Sequence, residues 1–381
     1  MYKKIIKPIL FLFPPDFIHN TTVRVGRVVQ VLPPVRWILR KWGAYSDARL
    51  NQSILDIDFS NPIGLSAGFD KNVQLTPLMS SVGFGFETGG SVTLGERKGN
   101  ARPWFYRLPK TQSLVVHAGL ANRGIVNGEA TIIKNSRRSK NLPLFISVAI
   151  VAKTSKETCQ DAIIDAKNTI LYILQHSLSK AIEINISCPN AGDEQPFTNP
   201  KMLDELLTEL DKIERNLPFL IKMPQVSSLK EFDALLRIVD RHNVQGLTIA
   251  NLVKDRSSVK LLEELPEEVK GGLSGAPTRK VSTAMVHYAY KKYAKRFTII
   301  GVGGVFSAEH AYEKIRAGAS LVGMITGVIF EGPQVVGKIN KGLIKLLEED
   351  GFTSITEAIG ADHKKVRNLS KKSCKTSSER V

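Results

Sequence analysis

Cys188 stands between two asparagines, Asn185 and Asn190, where Pro189 stops an apolar run. A thiol ionises near pH ~8.5, so modest tuning makes it a proton acceptor at neutral pH. The plainer reading is a small buried hydrophobe, the usual fate of a free cysteine. Amide side chains at Asn185, Asn190 and Asn251 pair donors with acceptors, which suits a flat polar ligand. Lys222 is embedded in Phe219-Leu220-Ile221-Lys222-Met223. A lysine there must meet a buried anion or an electron-rich ring, or bear a large desolvation penalty. Gly301, Gly303 and Gly304 precede a helical stretch and let backbone N–H groups approach an anion, and Thr326-Gly327 adds a hydroxyl and another glycine. The seven histidines are scattered without paired spacing, so no metal site is expected.

These residues share a position in the chain pattern. Apolar runs rich in β-branched residues occur at 61–68, 83–92, 142–150, 181–188, 217–223, 246–251, 298–304 and 321–327. Helical periodicities fall between several of them, at 159–178, 202–213, 229–239, 278–293 and 308–317. Fully apolar strands alternating with helices predict a parallel sheet covered by helices. Eight of them predict a closed (β/α)₈ TIM barrel, with an open doubly wound sheet as the alternative. A barrel builds its site at the carboxyl ends of the strands. The ends here read Ala67-Gly68-Phe69-Asp70-Lys71, Gly89-Gly90-Ser91, Asn185 to Asn190, Lys222, Asn251, Gly303-Gly304 and Thr326-Gly327. One lysine or glycine after a strand means little; seven ends out of eight carrying a polar group or a glycine is a pattern. The long interval at 93–141 contains two short apolar runs, 104–108 and 114–116, which predict a hairpin over the barrel mouth.

Composition sets the frame. The 381 residues are 43% apolar and 23% charged, enough for one large domain with appendages. Three cysteines exclude a disulfide scaffold. No apolar run approaches the ~20 residues of a membrane span. The net charge of +17 is concentrated at the two ends. In the first 45 residues eight cations face Asp16 alone, around the apolar cluster Ile5 to Phe13 and a second apolar stretch at 23–42. Two short basic amphipathic helices on anionic lipid explain that combination; a helical cap on the main domain is the alternative. No small-residue cleavage site fits a secretory signal. The stretch from His363 to Val381 is basic and lacks aromatics, as a disordered tail does. The expected division is an N-terminal membrane-associating segment (1–45), a barrel (46–350) and a C-terminal extension with a basic tail (351–381).

At these residues the chain resembles the dihydroorotate dehydrogenase family, most closely its quinone-linked, membrane-associated class. The resemblance runs from Met1 to about Leu347 and rests on Pro15 to His19, Asn61-Pro62-Ile63-Gly64-Leu65 and Ala67-Gly68-Phe69-Asp70-Lys71. It rests also on Gly272-Leu273-Ser274-Gly275, Ile300-Gly301-Val302-Gly303-Gly304 and Ala317-Gly318-Ala319-Ser320-Leu321-Val322. The resemblance implies FMN across the barrel mouth, held by Ala67, Gly68, Lys71, Ser91, Asn185, Lys222 and Gly327, with its phosphate on Gly303, Gly304 and Thr326 and with Gly275 and Gly272 nearby. Lys71, Asn185, Asn190 and Asn251 would hold dihydroorotate or orotate. Cys188 would remove the C5 proton while hydride passes from C6 to the flavin, and a membrane quinone would reoxidise it, in pyrimidine (UMP) biosynthesis. The implied location is peripheral, on the cytoplasmic face of the inner membrane, with no nucleic-acid partner.

The chain departs from the family at several positions. Cys188 stands where the quinone-linked class has serine, and Val116 and His117 replace a substrate-contacting asparagine and its neighbouring arginine. Ser147-Val148-Ala149-Ile150-Val151 replaces a polar flavin-contacting stretch, Leu252 a threonine, and Ile325 a tyrosine. The alternatives are therefore a related flavin barrel acting on another reduced ring, a dihydrouridine-synthase-like RNA enzyme, and a barrel kept only for binding.

Overall fold

A computed structural model of the chain describes residues 2–151, 158–187, 195–226, 228–294 and 296–364. After one tight helical turn, Tyr2–Ile6, come α1 (Lys7–Phe11), α2 (Pro15–Val29) and α3 (Pro33–Gly43). The proline pairs that interrupt the apolar stretches start helices rather than merely breaking them. Pro15 and Pro33 occupy first-turn positions, where the missing N–H has no intrahelical partner to lose. The second helix therefore begins at Pro15, eight residues before the apolar stretch expected at 23–42.

A hairpin follows, β1 (Gln52–Ile54) and β2 (Ile57–Phe59). Its two-residue turn has Leu55 and Asp56 at φ 54° and 58°, the left-handed pair of a tight hairpin turn. The chain then alternates: β3 (Ile63–Leu65), α4 (Thr76–Val82) and β4 (Phe86–Val92). After the expected hairpin, β5 (Phe105–Leu108) and β6 (Ser113–Val116), come α5 (Ile125–Arg138), β7 (Leu144–Ala149), α6 (Cys159–Gln175) and β8 (Ala181–Asn185). The next stretch holds α7 (Pro200–Asp211), β9 (Phe219–Lys222), α8 (Leu229–Asp240), β10 (Gly246–Ile249) and the two-residue β11 (Gly272–Leu273). The barrel ends with α9 (Arg279–Tyr293), β12 (Thr298–Val302), α10 (Ala308–Ala317), β13 (Leu321–Met324), α11 (Thr326–Glu331), α12 (Val335–Asp350) and α13 (Ile355–Ala358).

Eight parallel strands close in the order β3-β4-β7-β8-β9-β10-β12-β13, so the fold is the expected (β/α)₈ barrel and not an open sheet. Seven of the eight observed strands stop short of the apolar runs at their carboxyl ends, β4 alone reaching Val92. Gly68, Gly303 and Gly304 have φ of 121°, 117° and 65°, which no strand accommodates. Thr326 and Gly327, expected to end the last strand, open α11 instead. Ser91, Asn185 and Lys222 stay within the strands, whereas Gly68, Lys71, Asn251, Gly303, Gly304, Thr326 and Gly327 belong to the segments that follow them.

The barrel interior is layered. Phe86, Phe145, Ala181, Leu220, Ile300 and Leu321 form an apolar bottom plugged by Phe59. The Phe59 ring meets those of Phe86 and Phe145 edge-on at 5.9 and 6.1 Å, contacts worth about 0.5–1.5 kcal/mol each beyond area burial. Two residues further along three of those strands, alternation brings Ser147, Glu183 and Lys222, all buried, to the same face. The interior therefore turns polar on the way to the mouth. Across the mouth β11 joins β6 and β5 as a three-stranded antiparallel lid. The hairpin was expected, whereas β11 is too short to show a period.

Past α12 the chain stays packed. Ile355, Ala358 and Ala361 are buried, and the His363 ring stacks on His287 at 4.0 Å. The predicted tail from His363 thus starts within packed structure; residues 365–381 lie outside the described residues. Among the described residues no helix is long and apolar enough to cross a membrane.

Candidate active site

The loops at the strand ends and the N-terminal helices enclose one cavity of about 440 Å³, within the usual range of ~300–1,000 Å³ for a small-molecule site. Ala67, Gly68 and Lys71 reach it from the loop after β3, and Ser91 from β4. Asn185 comes from β8, Lys222 from β9 and Asn251 from just after β10. Gly275, Gly303, Gly304, Thr326 and Gly327 close one end. Gly272 does not line it; it pairs with Val116 in the lid. Cys188 and Asn190 lie outside the described residues. Their preceding neighbour, Ser187, is buried and tied into the site.

The floor is a hydrogen-bonded polar cluster. The Asn185 amide donates to Ser91 Oγ at 2.8 Å, and Ser91 shares a hydrogen bond of 2.8 Å with Ser147. The Asn251 amide donates to the Ser187 carbonyl at 2.7 Å and to Asn185 Oδ1 at 3.3 Å. Ser187 Oγ donates to the Lys222 carbonyl at 2.9 Å. Lys222 Nζ lies 3.7 Å from Glu183 Oε1, with both side chains almost wholly buried. The buried anion that Lys222 required is therefore Glu183, one turn of alternation below Asn185. Sequence alone hides it, because a glutamate in Ala181-Ile182-Glu183-Ile184-Asn185 reads as the solvent side of a strand. Ser187 and Ser274 were also missed as site residues; Ser274 shares a 2.9 Å hydrogen bond with Thr326.

The glycines at the closed end leave no room for side chains. A Cβ on Gly327 would stand 2.0 Å from the Val305 carbonyl oxygen, and one on Gly304 2.5 Å from Arg279 Cβ. At Gly68 (φ 121°), by contrast, a Cβ would meet nothing nearer than Ile325 Cδ1 at 3.6 Å and would only fill the cavity. Ser66, which also lines the cavity, has its Oγ buried without a hydrogen-bond partner among the described residues. An unsatisfied hydroxyl, a polar floor and a cradle a side chain would fill together fit a flat, polar, anionic group such as FMN. Three of the departures from the family pattern, Val116, Leu252 and Ile325, line the same cavity as apolar wall. His117 instead turns to Asn100, whose amide lies 3.2 Å from its ring nitrogen.

The mouth is built by the N-terminal helices. Leu10, Phe11, Ile18, His19 and Leu39 line it, facing Phe105 and Arg107 of the lid. Asp16 fastens this segment down: its carboxylate accepts from the Trp104 and Phe105 backbone N–H groups at 3.1 and 3.2 Å and pairs with Arg102 at 3.2 Å. Arg107 donates to the carbonyls of Leu10 and Phe13. Lys71 Nζ sits 3.5 Å from His19 Nε2 and 4.8 Å from the Phe105 ring centre. Burial, then the charges of Lys71 and Arg102, push His19 down to about 3, so it is neutral at physiological pH. Burial lowers Lys71 to about 8, against the opposing pull of Asp16 and Asp70. His19 and Arg107 escaped sequence analysis because nothing local marks a helix or lid residue as facing a cavity.

A closed parallel barrel whose strand ends share one polar-floored cavity defines an α/β-barrel enzyme. The family model described as dihydroorotate dehydrogenase matches residues 49–347, and the chain belongs to that family. The "Dihydroorotate dehydrogenase (quinone)" of Deinococcus deserti is 34% identical over 371 residues, covering 95% of this chain and 100% of that protein. The protein of the same name from Haloarcula marismortui is 33% identical over 362 residues, covering 94% and 98%. These relatives place the chain in the quinone class, as an oxidoreductase. The DHODH of Eimeria tenella solved with ferulenol superposes with a TM-score of 0.78 at 24% identity, over 92% of this chain and 96% of that one, and shares its fold.

Proposed function

We propose that this chain oxidises dihydroorotate to orotate with FMN as cofactor and a membrane quinone as acceptor. The observation that carries the reading is the single cavity that gathers the polar ends of the strands and opens onto the N-terminal helices. FMN, when bound, supplies the hydride-accepting ring and passes the electrons on. The chain's own residues bind, orient and move the proton. Gly303, Gly304, Thr326 and Gly327 would take the phosphate, with Gly275 beside them. Lys222 would face the electron-rich side of the flavin, with Ala67, Gly68 and Ser91 around the ring. Lys71, Asn185, Asn190 and Asn251 would hold the dihydroorotate ring and its carboxylate. The floor cluster supports this because its amides are already oriented by Ser91 and Ser187. Cys188, next after Ser187, would accept the C5 proton; the thiol needs only modest tuning for that.

The N-terminal segment would dock on the membrane and admit the quinone. Its inner side is a cap: Gly26 is buried and the Gln30 amide donates to the Gln74 carbonyl at 2.7 Å. Its outer side leaves Leu12 82% and Trp37 63% exposed, with Ile9, Phe17 and Ile38 also bare. The same segment carries Lys3, Lys4, Lys7, Arg24, Arg27, Arg40 and Lys41, and cations on a segment with a bare apolar face favour anionic lipid. The protein then sits peripherally, on the cytoplasmic face of the inner membrane.

The test is an anaerobic absorbance spectrum of the purified chain before and after adding dihydroorotate. Bleaching of the oxidised-flavin band supports cofactor and substrate together. A flavin band that does not bleach moves the substrate to another reduced ring, and a chain without flavin overturns the reading.

A further inference from the structure

Lys314 on α10 has no part in the chemistry above, yet it is wholly buried. Lysine is almost never found so without a counter-charge. Among the described residues its hydrogen-bond partners are two hydroxyls of α9: Nζ donates to Ser282 Oγ at 2.6 Å and to Thr283 Oγ1 at 3.0 Å. The neighbouring carboxylate, Glu313, is half-exposed and lies 3.8 Å from Arg279. The ammonium is thus held by neutral groups alone, a costly arrangement unless an anion completes it.

The place where an anion would complete it is visible. A Cβ added to Gly303 would stand 2.8 Å from Ser282 Oγ and 2.7 Å from Thr278 Oγ1. The Gly303 backbone therefore rests on the hydroxyl that Lys314 holds. Gly303 and Thr278 both line the cavity. One hydroxyl and one glycine separate the ammonium from the closed end of the site. The same packing locks Lys314 in place, since Cδ would lie 3.2 Å from a Cβ on Gly301.

We propose that Lys314 is a positioning residue for the cofactor's phosphate, supplying through Ser282 and the Gly303-Gly304 turn the positive charge that makes this site prefer FMN over unphosphorylated riboflavin. The inference rests on the FMN reading above and adds to it a source of selectivity behind the glycine turn. Burial holds the Lys314 ammonium down to about 7, with Glu313 opposing and Arg279 reinforcing the shift. A bound phosphate dianion would favour the charged form. Arg279 is the other cation at the turn, but its guanidinium is engaged by His310 and Glu313.

The experiment titrates the full-length chain, freed of flavin by dialysis, with FMN and with riboflavin, following flavin fluorescence. Wild type is expected to bind FMN the more tightly. Lys314→Met should shrink the FMN-to-riboflavin affinity ratio by roughly 10- to 100-fold, as loss of one unit charge at this range predicts, and leave riboflavin affinity unchanged. If both affinities fall together, or the ratio holds, Lys314 is only a strut between α9 and α10 and the proposal fails. Should Lys314→Met not fold, Ser282→Ala carries the same test: a smaller drop in the ratio supports the relay and an unchanged ratio overturns it. A wild type that binds FMN no better than riboflavin overturns the cofactor reading itself, a result distinct from a wild type whose preference survives substitution.

Discussion

The floor and the mouth of the cavity are made of opposite materials. At the floor Asn185, Asn251, Ser91, Ser187 and Lys222 are buried or half-buried, and hydrogen bonds of 2.7–3.3 Å tie them to one another. At the mouth Leu10, Phe11, Ile18 and Leu39 present hydrocarbon, fixed from behind by Asp16 and Arg107. A rigid polar floor suits a reaction that must orient a ring and move a proton. A greasy mouth, held by a few charged bonds, suits a lipid-soluble partner arriving from a surface. The two half-reactions of a quinone-linked dehydrogenase should therefore fail separately when one region or the other is damaged.

The largest effect is expected in the dihydroorotate half-reaction. Cys188→Ala should retain flavin and lose about 10²–10⁴-fold in the rate of flavin bleaching by dihydroorotate, the usual worth of a positioned base. An unchanged rate in stopped flow would take the thiol out of the proton transfer. Asn185→Leu, which unties the amide from Ser91 and from Asn251, should cost about 10- to 100-fold in the same half-reaction, the price of a buried polar group left unpaired. The quinone half-reaction of flavin already reduced by dithionite should be nearly untouched in both variants.

The mouth gives the next smaller effect. Asp16→Ala removes a carboxylate that accepts two backbone N–H groups and pairs with Arg102. Bonds to a charged group are worth about 1.5–3 kcal/mol, so the apparent KM for a quinone analogue should rise about tenfold or more. Bleaching by dihydroorotate should fall less than quinone reduction, and only through the support that Asp16 lends to the charge of Lys71. Equal loss in both half-reactions would mean that the two regions are not separable.

The two regions were also unequally legible. Parallel strands buried on both faces read as continuous apolar runs, so the eight strands and Lys222 stood out from their neighbours. The glycines and amides of the floor stood out because they interrupt such runs at matching places. Glu183 did not, since its partner Lys222 comes from another strand and only barrel closure brings them to 3.7 Å. His19, Arg107 and the strand β11 at the mouth did not, because a helix face or a two-residue strand has no period that says what lies opposite. Asp16 was visible as the lone acid among cations, but its role as a clamp depends on the lid's backbone, which no side-chain pattern encodes. Lys314 was hidden for the reason Glu183 was: Glu313-Lys314-Ile315-Arg316 reads as an exposed helix face.

Acidity offers a finer separation. Lys71 stands between the regions, lowered to about 8 by burial. Below that pH it is charged and, on the proposed function, would attract a substrate carboxylate; above it the attraction would be lost. The apparent KM for dihydroorotate should therefore climb above about pH 8, by at most about tenfold per pH unit, and Lys71→Met should have a raised but flat KM there. His19, held near 3, keeps one protonation state between pH 5 and 8. His19→Gln should leave the shape of that profile unchanged, and a profile that changes shape would assign the titration to the imidazole.

The smallest effect on chemistry belongs to the outer face of the N-terminal helices. Trp37 is 63% exposed and Leu12 82%, and neither packs into the cavity wall. Burying such side chains in lipid is worth about 1.5–3 kcal/mol each, so Leu12→Glu with Trp37→Glu should abolish cosedimentation with anionic vesicles. Activity with a water-soluble acceptor should not change, because the inner face, with Gln30 on the Gln74 carbonyl and Asp16 on the lid, is left intact. Turnover with a long-chain quinone in vesicles should fall with the bound fraction. If vesicle binding survives both substitutions, the exposed apolar face is not the membrane contact, and the mouth must receive its acceptor from solution.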